Sequence, residues 1–256
     1  MTDYDPKNSQ LREATTDSFY KTANLIHGAF PKLTANQLTM GRAIASIIAT
    51  EGIVRATTPR DRIIGCIGYT AFELADGVDG HLANIRAEED NVPTNLRGNL
   101  YDTLSDKTVE TYDCFRAAGR SIQQNDKFGA TINILAGITS PLPALFRAKA
   151  EANNLVVKEN GLGTRPVRSS LIGFNLALGE NKTTSRVLGA SILAMNIHTA
   201  SSRFMATRND ESKQLLGPLD NERKQLEAKL RYPALVVFSV ASVGVGAKLL
   251  RKNFNQ

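Results

Sequence analysis

The chain has 256 residues, enough for one large domain or two small ones, and its 31 Lys and Arg against 25 Asp and Glu leave a formal charge of +6. That mild basic excess suits an anionic membrane surface or a phosphate-bearing substrate. With no run of five like charges and no basic-aromatic pattern, it argues against a nucleic-acid partner. Two distant cysteines, Cys66 and Cys114, in no metal-type spacing, argue against a disulfide framework.

Residues 1–35 form a polar segment with acids from the start, unlike a signal or transit peptide. Periodicity then predicts helices almost throughout and no strands: 37–56, 61–84, 96–120, 127–150, 166–179 and 184–206. A charged stretch over 208–231, partly an amphipathic helix, precedes a last apolar helix that ends at "RKNFNQ". Mean hydropathy is −0.21, a soluble-looking value. Yet residues 128–146 hold no charge and 233–250 hold only Lys248, each near the ~20 residues that cross a bilayer core. Both are rich in Gly, Ala and Ser, which suit close helix packing in membranes. The expected fold is therefore all-α, a polytopic membrane bundle with a six-helix core over 36–207 and an extra C-terminal helix within 208–256.

The chemistry concentrates in "ADGVDGHLAN" and "GNLYDTLSDK". Asp76, Asp79, Gly80 and Ala83 fall on one helix stripe, and Gly98, Asp102 and Asp106 on another. Side by side, the two stripes gather four carboxylates next to small residues. Such a cluster resists full ionisation unless cations pair with it. Oxygen-only donors select hard ions such as Mg²⁺ or Mn²⁺, and two such ions can hold a diphosphate.

These residues resemble the signature of the CDP-alcohol phosphatidyltransferases, D-x2-D-G-x2-A-R…G-x3-D-x3-D. Asp76, Asp79, Gly80, Ala83, Gly98, Asp102 and Asp106 match seven places in order. "LTANQLTMGR" is similar to the family's N-x-LT-x-x-R segment through Asn36, Leu38, Thr39 and Arg42. "DTLSDK" resembles the D-P-x-A-D-K of the phosphatidylglycerophosphate synthase branch, and "GLGTRPVRS" loosely its G-K-x-K-T. Departures are Asn84 in the motif's Arg place, with Arg86 two residues on, and a longer stretch before Gly98.

The resemblance implies phosphatidyl transfer from CDP-diacylglycerol to a small alcohol acceptor, with release of CMP. Asp76, Asp79, Asp102 and Asp106 would hold a two-metal Mg²⁺ or Mn²⁺ site, with Asp106 also the general base. Gly80, Ala83, Arg86 and Gly98 would face the donor, and Lys107, Arg165 and Arg168 would grip an acceptor phosphate. Glycerol 3-phosphate is the expected acceptor. The partners are these substrates and the bilayer, with a homodimer left open. Three other readings stay open: an intramembrane aspartate-motif prenyltransferase, a non-catalytic metal-binding membrane protein, and an inactive family member. With six helices before residue 207, the aspartates and seven cations within 203–231 share the cytoplasmic face.

Overall fold

The computed structural model describes residues 6–89, 98–153, 155, 165–208 and 222–255. Ten helices are present among them: α1 (Pro6–Ala29), α2 (Ala35–Arg55), α3 (Pro59–Leu74), α4 (Asp76–Glu89), α5 (Gly98–Gln123), α6 (Lys127–Thr139), α7 (Leu142–Ala152), α8 (Arg165–Leu178), α9 (Lys182–Arg208) and α10 (Glu222–Phe254). The all-helical expectation holds, and the loop "RAEEDNVPTNLR" falls largely outside the described residues.

Local sequence fixes several boundaries. Thr34 caps α2 in a capping box with Gln37, and Thr58 caps α3 ahead of Pro59 and Asp61. Asp126 caps α6 by accepting from the Gly129 N–H. The turn before it places Asn125 at a φ of 53°, a left-handed conformation that Asn tolerates.

Four boundaries differ from expectation. The polar N-terminal segment forms α1, because Phe19, Ala23 and Ile26 share a face that packs on Val78, Leu82 and Ile85 of α4. The helix expected over 61–84 breaks at Ala75, where the chain ends α3 and begins α4 at Asp76. The helix expected over 127–150 breaks at Ser140 and Pro141, where proline cannot supply an amide to the preceding turn. Conversely, α10 begins at Glu222 and runs through Pro233 without ending.

Beside its apolar clusters the interior holds many polar side chains, while large apolar ones face outward. On α2, Thr39, Arg42, Ser46 and Thr50 are buried while Met40, Ile44 and Ile48 are exposed. Asn133, Asn175 and Asn196 lie fully buried, with Asn175 donating to Asn133 at 2.8 Å. Outward-facing apolar side chains continue through Ile63, Ile64 and Ile67 on α3, Phe174 on α8, and Val237 and Val240 on α10. A water-soluble bundle has the opposite arrangement, so an exterior this apolar fits lipid.

Two described stretches are long and apolar enough to cross a membrane, Lys127–Ala152 and Gln225–Phe254. The first joins α6 and α7. A six-helix spanning core is thus not evident from apolar length. At ~1.5 Å per residue, α8, with 14 residues, reaches only about 21 Å. Helices α2 and α5 are long enough, with 21 and 26 residues, but their inner faces carry the polar groups that lower whole-helix hydropathy.

Candidate active site

The site is organised by one turn of α2. Thr39 and Arg42, three residues apart, share its inner face and are each 4 % exposed. Helices α3, α4 and α5 all pack on α2, so acids from three neighbours meet this turn. The Thr39 hydroxyl donates to Asp79 of α4. The Arg42 guanidinium donates to Asp106 of α5 at 2.5 Å. It also lies 3.7 Å from Asp102 and 3.9 Å from Glu73 of α3. Ser46, one turn along α2, donates to Glu73 at 3.3 Å.

The expected acids Asp79, Asp102 and Asp106 are therefore gathered by α2 as a bridge. Asp76 opens α4, one turn before Asp79, but its side chain lies outside the described residues. Asp102 has a side chain 38 % exposed, whereas Asp106 is 8 % exposed, so the cluster runs from an accessible mouth to a buried end. Gly80 faces open space: a Cβ there would meet nothing within 4 Å. Gly98 is nearly as open, with only the Asn36 Oδ1 at 3.7 Å from such a Cβ. Ala83 is half-buried on the same helix as Gly80.

The cations expected to grip substrate are distributed differently. Arg86 donates to the Pro31 carbonyl, fastening α4 to the α1–α2 connection. Lys107 and Arg168 converge, both buried, on Glu110: Lys107 Nζ approaches one carboxylate oxygen at 2.5 Å and the Arg168 guanidinium the other at 3.4 Å. Ser140, from the α6–α7 break, donates to the same carboxylate at 2.8 Å. The side chain of Arg165 lies outside the described residues.

Sequence reasoning left Thr39, Arg42, Glu73 and Glu110 out of the site. Thr39 and Arg42 carried a signal, being two of the residues that match N-x-LT-x-x-R. Glu110 follows Asp106 by four residues and so extends the stripe of Asp102 and Asp106.

The donor set is of the oxygen-only kind that hard divalent cations take. It consists of carboxylates and hydroxyls with no thiol or imidazole, and acids from α3 and α5 surround one guanidinium, which marks where positive charge is needed. Among the described residues, no group of three or more His, Cys, Asp or Glu side chains is placed to hold a metal ion.

No protein-family model and no curated protein matches the chain. Among solved structures, it is similar to Mycobacterium tuberculosis phosphatidylinositol phosphate synthase with CDP-DAG bound. The TM-score is 0.59 at 18 % identity, over 74 % of this chain and 92 % of that one. The chain thus shares the helical fold of a CDP-DAG-bound phosphatidylinositol phosphate synthase.

Proposed function

We propose that this chain is a membrane-embedded, divalent-metal-dependent CDP-alcohol phosphatidyltransferase that moves a phosphatidyl group from CDP-diacylglycerol to glycerol 3-phosphate, releasing CMP. One observation carries the reading. The motif's aspartates on α4 and α5 meet a single turn of α2, inside a fold shared with a synthase that binds CDP-DAG.

Asp76, Asp79, Asp102 and Asp106 are the residues that would hold Mg²⁺ or Mn²⁺. When bound, the metal would supply charge neutralisation for the donor's diphosphate and would polarise its lipid-side phosphorus. The protein's own groups do the rest. The open space at Gly80, with the small Ala83 on the same helix, admits the cytidine, and Gly98 keeps the mouth of α5 clear. Arg42 holds and orients Asp106. Asp106 accepts the proton of the acceptor hydroxyl as that oxygen bonds to the lipid-side phosphorus. The bond from that phosphorus to the bridging oxygen breaks, and CMP departs with the electron pair. Lys107 and Arg168, with Arg165, attract the acceptor's phosphate.

The "SDK" ending and the basic "GLGTRPVRS" connector favour glycerol 3-phosphate over inositol phosphate, a free alcohol or a second phospholipid. The aspartate cluster faces the cytoplasm in this reading, in agreement with the positive-inside bias. The test supplies the purified protein with CDP-diacylglycerol, Mg²⁺ and one acceptor at a time while CMP is followed. Release with glycerol 3-phosphate is expected. Release with inositol phosphate alone would overturn the acceptor, and release with none would overturn the transferase.

A further inference from the structure

Glu110 is the least expected member of the charged interior. It is 2 % exposed, one helical turn beyond Asp106, and its carboxylate accepts from donors that include Lys107, Ser140 of the α6–α7 break and Arg168 of α8. Of these, Lys107 and Arg168 are themselves 4 % and 5 % exposed and are read above as the acceptor-phosphate grip. Glu110 shares a helix face with Asp106, four residues before it, so the cations on its carboxylate lie one turn along from the proposed base. A carboxylate bridging an ammonium and a guanidinium takes the place that phosphate oxygens would take, since both anions use the same charge-assisted bonds.

We infer that Glu110 sets acceptor specificity as an internal counter-anion, which the acceptor must displace from Arg168 in order to bind. The inference rests on the acceptor reading above. Its two arms are unequal: the Lys107 contact is short, at 2.5 Å, and the Arg168 contact is long, at 3.4 Å. Arg168 is therefore the cation released first. A phosphate near neutral pH carries more charge than a carboxylate and can compete for the guanidinium. A neutral polyol cannot, and meets a site already satisfied. Specificity arises because the wrong acceptor fails to displace Glu110, in addition to whatever contacts favour the right one.

The experiment measures inorganic phosphate binding to the detergent-purified protein by calorimetry, for wild type, Glu110→Gln, Glu110→Asp and Arg168→Met. CMP release against glycerol 3-phosphate concentration is followed in parallel. Glu110→Gln removes the competing charge at nearly constant shape, and Glu110→Asp withdraws it from Arg168 while keeping a charge for Lys107. Both should tighten phosphate by about tenfold, equal to about 1.4 kcal/mol. Glu110→Gln should lower the KM for glycerol 3-phosphate alongside, and Arg168→Met should abolish phosphate binding. If Glu110→Asp folds and Glu110→Gln does not, the aspartate variant decides. Unchanged or weakened phosphate binding in the folded variants would make Glu110 a structural brace and overturn the inference. Tighter phosphate without CMP release from any acceptor would keep Glu110 as a counter-anion that competes with phosphate, but would overturn the transfer reaction and with it the role in acceptor choice.

Discussion

Replacing Arg42 with methionine isolates what the central guanidinium does. The side chain is almost fully buried, 2.5 Å from Asp106 and within 4 Å of Asp102 and Glu73. Arg42→Met keeps most of the packing volume but deprives these carboxylates of that shared cation. Removing one partner of a buried ion pair typically costs about 3–5 kcal/mol, because the remaining charge stays desolvated. At ~2–4 °C per kcal/mol for a chain of this size, the melting temperature should fall by on the order of 10 °C. The assay is thermal unfolding of purified protein in detergent, with and without Mg²⁺. If the acids form a cation site, millimolar Mg²⁺ should recover more of the melting temperature in Arg42→Met than it adds to wild type, since it replaces the missing charge. Arg42→Lys should fall between, as it keeps the charge without the planar fork that reaches several acids at once. A melting temperature within about 2 °C of wild type for Arg42→Met, with no greater response to Mg²⁺, would refute the reasoning.

Further predictions follow from other parts of the fold. Gly80→Ala should fold like wild type, because its added methyl meets nothing within 4 Å, yet raise the KM for CDP-diacylglycerol. An unchanged KM would take the donor away from that space. Gly77→Ala should destabilise the α1–α4 contact, because its Cβ would lie 2.5 Å from the Phe19 ring; Phe19→Ala in the same chain should relieve the clash, and proteolysis of α1 would report both. Burial raises the Asp126 carboxyl pKa, but the Arg186 hydrogen bonds and the Gly129 N–H bring it below the usual 3.8. Its ionised form therefore adds stability that is present above about pH 4 and lost as pH falls through the lower folded value. Acid unfolding of Asp126→Asn should lack this component, and an identical acid profile in the two proteins would contradict it. For topology, a single cysteine at Leu215 in a Cys66- and Cys114-free background should react only with membrane-permeant reagents. Labelling from outside intact cells would overturn the cytoplasmic placement.

The helical class and most helix positions were legible because they depend on local periodicity and punctuation. Thr34 with Gln37 and Thr58 with Pro59 announce α2 and α3 within a few residues. The seven motif places were legible as spacing. Less legible were the breaks at Ala75 and Pro141, where helical composition continues on both sides. The face of α1 was present in Phe19, Ala23 and Ile26, but the polar residues between them concealed it. The meeting of Arg42 with Asp106, 64 residues away, depends on how separate helices rotate and slide against one another. No local pattern encodes that register. The same holds for Glu110 and Arg168, which lie 58 residues apart and come together only because α8 packs on α5.

The central claim is that Asp106 takes the acceptor's proton in a reaction that releases CMP. The most direct test follows CMP from cytidine-labelled CDP-diacylglycerol with Mg²⁺ and glycerol 3-phosphate, comparing wild type with Asp106→Asn. Metal binding by the two proteins is measured separately by calorimetry. The account predicts CMP release by wild type and its loss, on the order of a thousandfold or more, in Asp106→Asn, while metal still binds, more weakly, through Asp76, Asp79 and Asp102. Near-wild-type turnover in Asp106→Asn, or pyrophosphate in place of CMP as the released product of a diphosphate substrate, would contradict it.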